Sequence, residues 1–240
     1  MTVQTRELHL RPGGVDCAGL LAWDDALSGP RPGLLVCHTI RGRTAFEEDK
    51  AQNLAAAGYA AIAVDLYGMH TRDASPEQLR AQMDGLRADR ALLLARLMAW
   101  HKALCNADEV DTTRTAAIGF CFGGLCALDL ARAGIDIRGV ASFHGILEPP
   151  PEAHATSTNT RVLVLHGWDD PLAPPEDVLA LTRELTDLGS DWQLHAYGHT
   201  VHAFTNPNAH DHSAGTVYNA AADSRSGAAL TAFLEELFAD

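Results

Sequence analysis

The hexapeptide Gly119-Phe120-Cys121-Phe122-Gly123-Gly124 sets a thiol between glycines two positions away on either side. It follows the apolar run Thr115-Ala116-Ala117-Ile118 and opens a stretch that reads as a helix from about Phe122 to Arg132. A strand–turn–helix of this kind, like the G-x-S-x-G elbow, presents its central residue on a sharp turn at the end of a sheet. Larger side chains in place of the glycines would meet the adjoining strand and helix. The helix N-terminus behind the turn lowers the cost of negative charge on sulfur and on a reacting oxygen. Cys121 is therefore a candidate nucleophile, whereas Cys17, Cys37, Cys105 and Cys126 read as small core residues.

A free thiol, with a pKa of ~8.5, is only a few per cent ionised near neutrality, so it needs a base, and the base an orienting acid. Two later loops supply both. Gly167-Trp168-Asp169-Asp170-Pro171 follows the apolar run Leu163 to Leu165, and Gly198-His199-Thr200-Val201-His202 follows a further strand. Both loops fall at the carboxyl ends of strands, where open α/β sheets place their sites. In the order nucleophile, acid, base the chain offers Cys121, Asp170 and His202. Asp169 reads as a solvated cap, and His199, His210 and His212 as exposed loop residues. The chemistry is acyl transfer: the thiolate attacks an ester carbonyl, and water cleaves the thioester with His202 as base.

The elements that position these residues alternate along the chain. Glu7 to Leu10 and Ala18 to Trp23 predict a hairpin across Pro12-Gly13-Gly14. Gly33 to His38 and Tyr59 to Asp65 are apolar strands flanking a helix from Thr44 to Ala57, with Gly58 as its cap. Ser75 and Pro76 start one long helical stretch towards Cys105. Further strands are expected over Arg138 to Phe143, Arg161 to Leu165 and Trp192 to Tyr197. Helices are expected from Pro175 to Leu188 and within Ser213 to Phe238, and Glu148 to Thr160 reads as a surface loop. This alternation predicts a single α/β domain over 1–240, a mostly parallel sheet with helices on both faces.

The 240 residues carry a formal net charge of −13, which repels phosphate backbones and argues against nucleic acid as a partner. Five cysteines without paired spacing suggest reduced thiols. The N-terminus lacks the apolar core of a signal peptide, and no apolar run approaches the ~18 residues needed to span a bilayer. A cytoplasmic protein without a membrane partner is expected. The histidines have no metal-ligand spacing and no glycine loop suits a phosphate, so no cofactor or metal is implied.

Gly119 to Gly124, Gly167 to Pro174 and His202-Ala203-Phe204 together resemble the dienelactone hydrolase family of the α/β-hydrolase superfamily. Ala55-Ala56-Ala57-Gly58-Tyr59, leading to Asp65-Leu66-Tyr67-Gly68, is similar to another segment of that family, so the likeness runs from about Gly33 to Phe238. It implies an α/β-hydrolase fold and selects Asp170 over Asp169, because the acid stands four residues before Pro174. It also implies an oxyanion hole formed by the backbone N–H groups of Phe122 and Ile40, each worth ~3 kcal/mol in the barrier. Two positions depart from the pattern. Thr39 stands where the family carries a glutamate that partners the resting thiol, with Glu47 and Glu48 as carboxylates that could replace it. Asn206 stands where dienelactone-cleaving members have an arginine that grips a substrate carboxylate, with Arg41, Arg43 and Arg72 as possible substitutes. Thr39, Arg41 and Asn206 are accordingly candidate substrate contacts.

The reading is a hydrolase of small carboxylic esters or lactones acting through a cysteine nucleophile. The rival is a hydrolase-fold protein that binds a small molecule with little or no turnover; a cysteine peptidase fits the acidic charge less well.

Overall fold

The computed structural model of the chain describes residues 2–151 and 157–239. Eight strands form one sheet: β1 (Val3–Leu10), β2 (Cys17–Asp24), β3 (Arg31–Cys37), β4 (Ala60–Ala63), β5 (Val110–Phe120), β6 (Gly139–Phe143), β7 (Arg161–Gly167) and β8 (Trp192–Tyr197). Their order is β1-β2-β4-β3-β5-β6-β7-β8. The pairs β3–β4, β6–β7 and β7–β8 are parallel, while β1–β2 and β2–β4 are antiparallel. The expected α/β architecture is observed, with an antiparallel start. The chain divides into two compact units, Met1–Ala117 and Ile118–Asp240.

In the first unit, β1 pairs with β2 from Val3 opposite Asp24 to Leu10 opposite Cys17, a longer hairpin than expected. Gly13 and Gly14 turn the chain with positive φ. All of β4 and nearly all of β3 are buried, as strands covered on both faces must be. Helix α1 (Ala45–Ala56) packs on β2 and β4. Its capping box is Thr44 with Glu47, and Gly58, at φ 99°, lets the chain leave it. Asp65, just past β4, accepts the N–H groups of Ala18, Tyr67 and Gly68. The Trp100 indole donates to the Asp65 carbonyl at 2.8 Å and covers Gly19, where a Cβ would lie 2.6 Å from its ring.

The long helical stretch after Ser75 is two helices, α2 (Pro76–Ala88) and α3 (Arg90–Cys105). Ser75 caps α2 and Pro76 is its first residue, as the sequence suggests. The break falls at Asp89, with φ −116° and ψ 78°, whose carboxylate accepts the Leu92 N–H at 2.9 Å. Apolar spacing runs through this one residue unchanged; only the capping preference of aspartate marks it.

In the second unit, β5 ends at the turn that enters α4 (Phe122–Arg132), and α4 packs on β6. Strands β6 and β7 are almost wholly buried, whereas the edge strand β8 alternates partly buried with exposed positions. Helix α5 (Pro175–Asp187) matches expectation. Helix α6 (Ala220–Leu237) starts at Asn219, whose side chain accepts the Ala222 N–H. Before it, β9 (His210–Asp211) and β10 (Thr216–Val217) form a small antiparallel ribbon, too short for any periodicity to reveal. The stretch Glu148 to Thr160 has no regular structure where described, and its positions 152–156 lie outside the described residues. Among the described residues no helix is long and apolar enough to cross a membrane.

Because Asp89 is the cap of α3, Asp89→Ala is expected to destabilise the protein by about 1 kcal/mol, and Asp89→Ser by much less. Urea-denaturation midpoints of the two variants check this; equal midpoints would show that the cap contributes nothing.

Candidate active site

Cys121 occupies the turn between β5 and α4 with φ 58° and ψ −115°, a region that side chains other than glycine seldom adopt. Its N–H donates to the Phe143 carbonyl at 3.0 Å, and its own carbonyl accepts from Gly124 at 3.0 Å and Ile146 at 3.2 Å. The glycines are steric necessities. A Cβ on Gly119 would lie 1.8 Å from the Gly123 carbonyl oxygen, and one on Gly124 would lie 2.6 Å from the Gly145 Cα. Cys121 is 8% exposed. By contrast, burial pushes the Cys17 and Cys37 thiols up to about 12, with Asp65 adding to the shift at Cys17, so both stay inert as core residues.

His202 and Asp170 meet as the sequence order suggests. His202 Nδ1 lies 2.7 Å from Asp170 Oδ2, and both side chains are almost fully buried. The other Asp170 oxygen accepts the Leu172 N–H at 2.8 Å, which fixes the carboxylate in its loop. Asp169 is half-exposed and faces the exposed His199, at 3.7 Å. The loop bearing His202 is tied down by its backbone: its N–H donates to Gly215 at 2.9 Å and its carbonyl accepts from Val217 at 3.0 Å. That is the purpose served by the β9–β10 ribbon.

Burial works against a charge on His202. The Cys121 charge opposes it, joined by hydrogen bonds to Asp170 and Cys121 and by the Asp170 charge, and the pKa is held up at about 10. Nε2 is buried without a well-aligned partner, and Cys121 is the group that acts on the ring from that side. A histidine charged in this way adds stability that is complete below its ordinary 6.5 and is lost as pH rises through about 10.

Two further buried histidines belong to the surroundings. His166, at the end of β7, is 1% exposed, and burial keeps its pKa low although Asp170 acts to raise it. His144, just past β6, presents its ring edge-on to His202 with 5.0 Å between centroids. The sequence reading missed both. A histidine–glycine pair directly after an apolar strand, as in His144-Gly145 and His166-Gly167, was the available signal.

Of the other predicted residues, Phe122 is the first residue of α4, where helical N–H groups lack intrahelical acceptors. Thr39, Ile40 and Arg41 stand in the loop after β3, in the first unit. The Thr39 N–H donates to Glu47 Oε1 at 3.1 Å, and its hydroxyl accepts from Arg41 N–H at 3.2 Å. Glu47 Oε2 takes the Thr44 N–H and hydroxyl, so this buried carboxylate is engaged in holding its own loop. Arg41 is exposed, while Arg43 and Arg72 both pair with Glu7 at 2.9 Å. Asn206 closes a turn, its side chain accepting the Asn208 N–H at 3.0 Å. A cavity of about 410 Å³ lined by Arg132, Leu147, Pro149 and Glu184 holds none of these residues. Its guanidinium is already bonded to Asp129, Glu184 and two backbone carbonyls. Among the described residues no three His, Cys, Asp or Glu side chains are grouped to hold a metal ion.

Known proteins resemble this chain over nearly its whole length. A solved structure named m3DLH superposes with a TM-score of 0.93 at 38% identity, covering 98% of this chain and 99% of the other. A dienelactone hydrolase-like promiscuous phosphotriesterase, P91, from metagenomic libraries gives 0.92 at 37% identity, covering 98% of each. A Yersinia pestis protein bearing a carboxymethylenebutenolidase name is 25% identical over 232 residues, 89% of this chain and 86% of its own. The sequence model of the dienelactone hydrolase family matches residues 18–238, and the chain belongs to that family of α/β-hydrolases.

Proposed function

We propose that the chain hydrolyses small carboxylic esters or lactones through a thioester on Cys121. The observation that carries this reading is the His202 imidazole, hydrogen-bonded to a buried Asp170, with the Cys121 charge acting to raise its pKa. The thiolate adds to the ester carbonyl carbon, forming the C–S bond. The oxyanion is received by the Phe122 N–H at the helix start. As the C–O bond breaks, His202 gives its proton to the leaving oxygen. Water then attacks the thioester, His202 takes the water proton, and the carboxylic acid leaves as the C–S bond breaks.

Neutral esters fit better than substrates bearing a carboxylate. Asn206 brings no charge to grip an anion, and Arg43 and Arg72 are engaged with Glu7. An aryl dialkyl phosphate is a second class to try, since the P91 enzyme is described as a phosphotriesterase and phosphorus can accept the same thiolate. A receptor without turnover would have no use for an oriented, charged base.

With p-nitrophenyl acetate, Cys121→Ala should lose about a thousandfold or more in kcat. Cys126→Ala, in the buried interior of α4, should keep near-normal turnover. Full activity in Cys121→Ala would remove the thiol from the mechanism. A separate measurement tests the electrostatics. Without the Cys121 charge, burial acts less opposed on His202, so in Cys121→Ala its imidazole should titrate at a lower pH than in the wild type, read from ¹⁵N–¹H NMR. An unchanged titration would mean that Cys121 does not support the charge on the base.

A further inference from the structure

We infer that His144 is a positioning residue for His202, and that its hydrogen bond to Thr205 is the means. The inference rests on the roles proposed above for Cys121 and His202. His144 is 1% exposed and its backbone sits at φ 37°, an unfavourable region for a residue with a side chain. Its N–H donates to the Leu165 carbonyl at 2.8 Å, anchoring it to the end of β7. Its Nε2 shares a 2.9 Å hydrogen bond with Oγ1 of Thr205, a residue with no exposure at all. Its ring meets His202 at 5.0 Å and 70°, and Phe204 at 5.1 Å and 80°. One side chain thus touches three of the four residues from His202 to Thr205.

A buried imidazole is a costly way to fill space. A phenyl ring or an isoleucine would occupy the volume without desolvating polar atoms, and a neutral buried hydrogen bond returns only about 1 kcal/mol net. Packing therefore does not account for the pair, but orientation does. The single bond from His202 Nδ1 to Asp170 fixes one corner of the ring and leaves it free to swivel about that bond. A second contact against the ring sets its plane, and with it the direction of Nε2. The hydrogen bond to Thr205 keeps His144 itself from rotating away.

The neighbouring residue completes the argument. The Phe143 carbonyl accepts the Cys121 N–H, so consecutive residues at the end of β6 hold the nucleophile's backbone and the base's ring. The spacing between thiol and imidazole is set from one short segment. The ionisable groups acting on His202 are Cys121 from the elbow and Asp170 and His166 from β7 and its loop, with the His144 ring against it.

The test uses His144→Phe, Thr205→Val, their double variant, and Thr205→Ser. Each is assayed for ester hydrolysis, melting temperature and the pH profile of Cys121 alkylation by iodoacetamide, followed on the Cys121 peptide by mass spectrometry. His144→Phe and Thr205→Val should each lower kcat about tenfold with KM little changed, as misplacement of a reacting group does. The double variant should be no worse than either, and Thr205→Ser should restore the wild-type rate. Alkylation at pH 6 should slow, and its midpoint should move up towards the ~8.5 of an ordinary thiol. Wild-type kcat and an unchanged alkylation profile, even with a lowered melting temperature, would overturn the inference. So would strictly additive losses in the double variant. If His144→Phe does not fold, Thr205→Val against Thr205→Ser decides alone. Alkylation needs no substrate, so it separates the two readings. A wild-type Cys121 that behaves as an ordinary thiol overturns the parent reading, while a low-pH profile indifferent to all the variants overturns only this one.

Discussion

The second unit depends on one tight place, the left-handed backbone at Cys121. A residue with a side chain in that conformation costs on the order of 1–3 kcal/mol, and it persists only where its surroundings over-determine it. Here three backbone hydrogen bonds, to Phe143, Gly124 and Ile146, clamp the residue from both sides. The clamp works only if β5, α4 and the exit of β6 approach to contact distance. The glycines at 119, 124 and 145 meet that demand, since a Cβ at any of them would come within 2.6 Å of a neighbouring atom. The return for this strain is geometric. The thiol stands at the sheet's carboxyl edge with a helix N-terminus directly behind it, on a backbone that those hydrogen bonds hold in place.

Around that fixed point the electrostatics are local. A net charge of −13 would disfavour a thiolate if it acted at full range. Charges at the surface are screened over about 8 Å at physiological ionic strength, so the groups in direct contact dominate. Two acids stand side by side in the loop after β7, and only burial tells them apart. Asp169 lies half in water beside an exposed His199, whereas Asp170 is enclosed and has both oxygens engaged. His202 then experiences desolvation as an opposing force and its two neighbours as the larger supporting one. The same enclosure that makes a lone charge expensive makes the partnered one strong.

Much of this was legible in the residues. The elbow shows because sterics permit few sequences at such a turn, so glycine spacing carries the information directly. The loops bearing Asp170 and His202 show because they follow apolar strands. The ends of α1 and α2 show through capping residues. What escaped is structure that leaves no periodic trace. The α2–α3 break is one aspartate inside an unbroken apolar pattern. The β9–β10 ribbon has two residues per strand, though it holds the His202 backbone. His144 and the capping role of Glu47 escaped for another reason: a buried polar residue is written in the sequence with the same letter as an exposed one. Only its surroundings separate a packing or capping role from solvent exposure.

Glu47 shows how far that ambiguity reaches. The family pattern leads one to look for a carboxylate beside the resting thiol, and Thr39 cannot supply it. Glu47, eight residues on, is fully buried and could be taken as its replacement. Its oxygens are instead filled by the N–H of Thr39 and by the N–H and hydroxyl of Thr44. All three of those bonds lie within its own loop and the start of α1. Its work is to fix the Thr39–Thr44 loop and the start of α1, while His38 adds a second tie by accepting the Leu66 N–H at 3.1 Å. Activation of the thiol is proposed from groups of the second unit alone. In the reading proposed here it is complete among Cys121, His202 and Asp170, which makes the orientation of a single imidazole the quantity on which the rate depends most steeply.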